Sequence, residues 1–171
     1  NILIEKGLTG IVGPNGCGKS NIVEALRWCM GENSAKSMRG SGMEDVIFSG
    51  TSNRPSKNIS EVALLLDNRE KAGHVQYKEF DEISIRRKIE KDKGSKYFIN
   101  DKEVRAKDVQ TFFADLSTGA HSPSLISQGR IGQLVIAKPI ERKSVLEEAA
   151  GISGIHARRQ EAETRLNAAE N

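Results

Sequence analysis

The chain of 171 residues has only two cysteines, Cys17 and Cys29, and three histidines. Two cysteines flanking one helical stretch make no disulfide framework, and no Cys/His cluster with metal-ligand spacing occurs. No apolar run reaches membrane-span length and no signal-peptide pattern opens the chain, so a cytoplasmic location without membrane contact is expected. Aromatic residues make up 5% of the chain and charged residues 29%, which points to an aliphatic core under a charged surface. A net charge of +3 permits contact with nucleic acid but does not demand it, since dedicated binders carry a denser basic excess. There is no initiating Met. The chain starts at Asn1, running into strand-like Ile2-Leu3-Ile4, and stops at Asn171 within a helical pattern, as expected of a segment of a longer protein.

What is present is a phosphate-loop motif. Gly13-Pro14-Asn15-Gly16-Cys17-Gly18-Lys19-Ser20 fits GxxxxGK[ST]. Upstream, Leu8-Thr9-Gly10-Ile11-Val12 reads as a short buried strand. Downstream, Ile22, Ala25, Leu26 and Cys29 share one face of a helix. A glycine-rich turn entering a helix aims backbone N–H groups and the positive helix end at one point, which suits polyphosphate. Lys19 would reach the β- and γ-phosphates, and the Ser20 hydroxyl would ligate Mg²⁺. Cys17 is either a variable loop position or a thiol made sensitive to oxidation and alkylation by the helix N-terminus.

Beyond the first helix, Ser34 to Gly42 is polar and basic, Met43 to Phe48 is a short ordered piece, and Ser49 to Ser60 is a loop. Strand signals follow: the run Val62 to Leu66, alternation of Ile83, Ile85 and Ile89, a turn at Asp92-Lys93-Gly94-Ser95, and a return through Tyr97-Phe98-Ile99. This middle block is antiparallel in character. Val104 to Leu116 returns to helical spacing with Val109, Phe112, Phe113 and Leu116 as its apolar stripe. Ser124 to Ser127 reads as a short strand, and the rest is helical, broken at Pro139. Ile152, Ile155, Arg159, Ala162, Leu166 and Ala169 step by threes and fours, a short heptad seam.

The phosphate loop with Asn21, Met38-Arg39-Gly40 with Met43-Glu44-Asp45-Val46-Ile47-Phe48, Ile126-Ser127-Gln128-Gly129 and Glu147-Glu148-Ala149-Ala150-Gly151 together resemble the N-terminal head segment of bacterial SMC (structural maintenance of chromosomes) proteins. The likeness runs nearly end to end, short only of a first strand ahead of Asn1. It implies an α/β fold: a P-loop ABC-type ATPase half-head over 1–151, with a mixed sheet (antiparallel middle block, parallel P-loop core), and the start of a coiled-coil stem over 152–171. It implies ATP and Mg²⁺ as ligands, with Gly13, Pro14, Asn15, Gly16, Cys17, Gly18, Lys19, Ser20 and Asn21 at the nucleotide. It also gives Gln128 the place of the Q-loop glutamine, on Mg²⁺ and the water near the γ-phosphate, and Arg39 that of an arginine reaching toward the nucleotide. Lys19, Gln128 and Arg39 would then serve turnover, and Ser20 and Gln128 the metal.

The resemblance further implies partners. These are the C-terminal segment of the same chain, a second head in a homodimer, a kleisin subunit at the neck, and double-stranded DNA bound without sequence preference near the nucleoid. Arg105 and Lys107, with Lys36 and Arg54 on loops, are candidates for DNA phosphates, or equally a solvated charged rim. Val62 to Asp67 imitates a Walker B strand, but Asn68 follows where related ATPases carry a glutamate, so Asp67 is read as the end of an antiparallel strand. No Leu-Ser-Gly-Gly signature occurs. Half of the ATP chemistry is therefore expected, with no turnover by this segment alone. Two other readings stand beside it. One is a coiled-coil ABC ATPase of double-strand-break repair or the RecN type. The other is a self-contained kinase or GTPase using Asp67, which lacks the Asn-Lys-x-Asp motif.

Overall fold

A computed structural model describes the chain except residues 36–39, 72–74, 117, 120, 121, 123, 128, 151, 153, 154, 156–158, 160, 161, 164, 165, 168, 170 and 171. Its centre is a four-stranded antiparallel meander, β1 (Ile59–Asp67), β2 (Glu82–Glu90), β3 (Gly94–Ile99) and β4 (Lys102–Val104), in that spatial order. The register sets Leu64 opposite Ile85 and Val62 opposite Arg87 across β1 and β2. Across β2 and β3 it sets Ile85 opposite Ile99 and Arg87 opposite Tyr97. Side chains alternate between faces along a strand, so Ile83, Ile85, Arg87 and Ile89 all point inward.

The turns have local causes. Between β3 and β4 only Asn100 and Asp101 intervene, at φ 46° and 63°. Two successive left-handed residues match the twist of a tight hairpin, and Asn and Asp tolerate that region. The Asn100 side-chain oxygen also accepts the Ser84 N–H at 2.8 Å. The β2–β3 turn closes through Lys93 N–H to Glu90 O at 3.0 Å, with Gly94 at φ 79°.

Two helices cover the inner face. Helix α1 (Lys19–Cys29) brings Trp28 and Cys29 onto the sheet, and α2 (Ala106–Asp115) brings Val109, Phe112 and Phe113. Cys29, Ile83, Ile85, Tyr97, Ile99, Val109, Phe112 and Phe113 make one core, and Trp28, Ile47 and Ile89 a second. Phe112 meets Tyr77 and Phe113 edge-on, at 5.6 and 5.4 Å between ring centres. The helices join where Gln110 Nε2 donates to Gly31 O at 2.7 Å. Helices α3 (Arg130–Ile136) and α4 (Pro139–Ala149) follow the α2 end. The described residues of 155–169 are helical, with Ile155 and Leu166 exposed.

Two sequence expectations change. Leu8–Val12 is not a buried strand: it pairs with no described segment, and Leu8 and Val12 are 96% and 92% exposed. Strand backbone needs a neighbouring ladder, and the sheet that the described residues form is the antiparallel block. Ser124–Ser127 is also not a strand. Ser124 N–H donates to the Ser122 hydroxyl at 3.1 Å and Leu125 N–H to Ser122 O at 3.1 Å. Such local serine bonds compete with strand pairing.

Burial pushes both the Cys29 thiol and the Tyr97 phenol up to about 12, from ordinary values of 9.0 and 10.0. Unfolding returns both groups to water. Below pH 9 both are neutral in either state, and their contribution to stability is fully present. From pH 9 toward 12 the unfolded chain releases protons that the folded chain keeps, so stability falls as pH rises. Urea midpoints measured at pH 8 and pH 10.5 should show the second clearly lower.

Candidate phosphate-binding site

Residues 13–18 curl into the N-terminus of α1 through two glycines in the left-handed region, Gly16 at φ 80° and Gly18 at φ 90°. A Cβ at either would meet nothing within 4 Å. Conformation rather than crowding therefore asks for glycine there. At Gly13 the constraint is closeness, since a Cβ would lie 3.0 Å from Cys17 Sγ. Lys19 folds back over the loop. Its Nζ donates to Gly13 O at 2.7 Å and Pro14 O at 2.6 Å, and lies 3.9 Å from Cys17 Sγ.

The helix start carries no competing anion. Gly18 is the N-cap, no side chain caps the first turn, and the first turn holds no acidic residue. A polyphosphate fits this donor set: the positive helix end, backbone N–H groups and one ammonium converge on an exposed loop. Pro14, Asn15 and Cys17 are exposed and Ser20 is half-buried in the first turn, next to exposed Asn21. The free Cys17 thiol is exposed and Cys29 is buried, without a bond between them.

Of the other candidates, Arg39, Gln128 and Lys36 lie outside the described residues. Gly129, which follows Gln128, N-caps α3 at φ 79°. Asp67 ends the antiparallel strand β1, as the sequence reading expects. Arg69 forks onto it with Nη2–Oδ2 at 2.5 Å and Nε–Oδ1 at 3.0 Å. That guanidinium holds the Asp67 carboxyl well below the usual carboxylate range. Its oxygens serve an exposed surface pair.

Arg105, Lys107 and Arg54 are all exposed. Arg105 N-caps α2, where Asp108 accepts its backbone N–H at 3.0 Å and its guanidinium at 3.2 and 3.3 Å. Arg54 sits in a small turn bridged to Thr51. Helix α2 meets α1 at Gly31, beyond the C-terminal end of α1. An 11-residue helix runs about 16 Å, so Arg105 and Lys107 are not gathered at the phosphate loop. Beside them a cleft of about 840 Å³ opens between Tyr77, Phe80, Asn100, Arg105 and Phe112. Its lining includes none of residues 13–20.

One buried residue escapes a reading by apolar pattern. Arg87 stands on the inward face of β2 among three isoleucines and is 2% exposed. The signal available in the sequence is parity, since Arg87 lies two residues from both Ile85 and Ile89.

Known relatives of this chain fall in one family. The RecF/RecN/SMC N terminal domain family matches residues 1–130. A "Chromosome partition protein Smc" of Cereibacter sphaeroides is 58% identical over 99% of this chain, which spans 15% of that relative's length. A solved structure described by ATP-driven dimerization and DNA-stimulated activation of SMC ATPases superposes with TM-score 0.71. It is 32% identical, over 86% of this chain and 87% of that one. The Smc head domain of Pyrococcus furiosus, solved with an extended coiled coil and bound to the C-terminal domain of ScpA, gives TM-score 0.72. It is 29% identical, over 92% of this chain and 39% of that one.

Proposed function

The chain belongs to the RecF/RecN/SMC N-terminal domain family, and from that premise we propose that it binds Mg·ATP as the N-terminal half of an SMC ATPase head. It shares the α/β half-head fold of solved SMC heads. The observation that carries the reading is the start of α1: Gly16 and Gly18 in left-handed turns, Lys19 over the loop, and no acid in the first turn. ATP supplies a phosphoanhydride whose cleavage releases free energy, and Mg²⁺ offsets charge on its oxygens. Backbone N–H groups of residues 15–20 would hold the phosphates, Lys19 would exchange the Gly13 and Pro14 carbonyls for phosphate oxygens, and Ser20 would hold Mg²⁺. Gln128 would share the metal and orient water, and Arg39 would face the nucleotide. Equilibrium dialysis of Mg·ATP against the intact protein and its Lys19→Ala form tests this assignment.

In the complete protein, ATP-driven engagement of two heads would organise and segregate chromosomal DNA in the cytoplasm. Residues 1–151 would form the half-head and 152–171 the start of the coiled-coil neck. The Walker B acid and the signature would come from the C-terminal segment, leaving 1–171 inactive alone. Exposed apolar residues support such a partner: Leu8, Val12, Ile136 and Ile140 are each more than 75% exposed, apolar area that a docking segment would cover. The P. furiosus head bound to ScpA supports a kleisin partner at the neck. The 58% identity to a chromosome partition protein favours this reading over a repair ATPase of the RecN type.

Arg105 and Lys107 would touch DNA phosphates, with Lys36 and Arg54 as further contacts. Replacing both Arg105 and Lys107 by Glu in the intact protein should weaken DNA binding alike for all sequences. The slope of log affinity against log salt should become shallower by about 2, near 0.9 for each lost contact. Mg·ATP affinity should stay unchanged, because α2, which carries Lys107 and is N-capped by Arg105, meets the α1 side at Gly31, past the C-terminal end of the helix whose N-terminus carries the loop.

A further inference from the structure

We propose that Arg87 is a positioning residue for ATP turnover: it fixes the exit of α1 and the backbone at Glu32 and Asn33, the segment that leads in sequence to Arg39. The proposal deepens the ATPase reading and rests on it. A guanidinium taken out of water is strongly disfavoured unless its donors find acceptors. Arg87 is 2% exposed and meets that demand mainly with the last turn of α1 and the segment that follows it.

Its Nη1 donates to Trp28 O at 2.7 Å and to Glu32 O at 2.6 Å, and its Nη2 to Asn33 Oδ1 at 3.2 Å. Only Nε turns to the sheet, donating to Ser95 Oγ at 2.8 Å. The Trp28 and Tyr97 rings lie against the guanidinium at 4.5 and 4.6 Å. Burial lowers the Arg87 pKa from its ordinary value, but a guanidinium starts so high that it stays charged.

Among the described residues no carboxylate forms an ion pair with that guanidinium. Glu32 turns its own carboxylate to Arg27 at 3.2 Å and to Ser34 N–H at 2.8 Å. Arg87 instead meets carbonyls at the negative end of α1, where a cation is favoured. It therefore caps, from another element, the helix whose opposite end carries the phosphate loop.

The capped segment is irregular and held from several sides. Gln110 of α2 donates to Gly31 O at 2.7 Å, and Tyr97 OH donates to Asn33 Oδ1 at 3.0 Å. A helix end needs satisfied carbonyls but not a buried fork reaching two residues past Gly31. The fork does more than end the helix, since it sets the backbone direction of residues 32 and 33. Residues 36–39, including Arg39, come next in the sequence. Holding that departure shapes the turnover step while leaving the loop at residues 13–20 free to bind nucleotide.

The test uses the full-length protein with Arg87→Lys, which keeps the charge but cannot span Trp28 O, Glu32 O and Asn33 Oδ1 together. Asn33→Ala, at an exposed position, is a second variant that folding does not require. Ser95→Ala removes only the bond to β3 and is the structural control. Arg87→Lys should lower kcat about tenfold or more, and Asn33→Ala several-fold, with Mg·ATP affinity within about twofold of wild type. Ser95→Ala should leave kcat unchanged. Amide exchange over residues 32–35 should accelerate about tenfold in Arg87→Lys and rise in Asn33→Ala, whether or not the protein hydrolyses ATP. Absence of turnover in the wild type would defeat the ATPase reading, and exchange would then decide whether Arg87 holds the segment. Unchanged exchange over 32–35 in both variants overturns the proposal. So does unchanged kcat in both, or a loss of kcat in Ser95→Ala equal to that in Arg87→Lys.

Discussion

Lys19→Ala in the intact protein should lower Mg·ATP turnover by two orders of magnitude or more while leaving the fold unchanged. The Lys19 ammonium is the only side-chain cation that the described residues place on the loop carbonyls, at 2.6 and 2.7 Å. Removing one preorganised donor to a developing phosphoryl charge typically costs about 10²–10³ in rate. Stability should barely move, because Lys19 is only half-buried and its bonds are to exposed carbonyls. Circular dichroism with a turnover assay separates the two effects. A variant that unfolds, or one that retains full turnover, goes against the assignment of the loop.

Phe113→Ala should have the largest effect on stability. Phe113 is 1% exposed, stands edge-on to Phe112, and packs in the core that joins α2 to the sheet. Truncating a buried phenylalanine costs about 3–5 kcal/mol through lost transfer free energy and the cavity left behind. Against a typical domain stability of about 5–15 kcal/mol that is a large fraction. Thermal melting should drop by about 10 °C, given about 2–4 °C per kcal/mol for chains of this size. A drop of only about 2 °C would mean that α2 does not close this core.

Local chemistry explains what was legible in the sequence. The motif Gly13 to Ser20 specifies backbone conformations that only glycine takes readily, and Gly16 and Gly18 adopt them. Alternation of Ile83, Ile85 and Ile89, with the turn at Asp92 to Ser95, places β2 and β3 correctly. The helical stripe of Val109, Phe112 and Phe113 places α2. Asp67 reads as a strand end because it closes the apolar run Val62 to Leu66, with Asn68 where a Walker B strand would carry glutamate.

What was not legible depends on neighbours distant in sequence. An apolar run such as Leu8–Val12 reads as a strand, but a strand exists only with a partner, and no described segment pairs with it. Ser124 looks like part of a strand until the Ser122 hydroxyl takes its N–H. Arg87 reads as solvated charge until Trp28, Asn33 and Tyr97, 59, 54 and 10 positions away in sequence, surround its guanidinium. Two-residue alternation carries the parity of a residue but cannot name its acceptors.

The most direct measurement is Mg·ATP turnover by the 1–171 segment, alone and mixed with the C-terminal segment of its parent protein, with Lys19→Ala alongside. Turnover only in the mixture, lost on Lys19→Ala, is the result expected of half a head that receives its remaining ATP chemistry from that partner. Lys19-dependent turnover by the 1–171 segment alone would contradict it and make Asp67 the metal-holding acid after all.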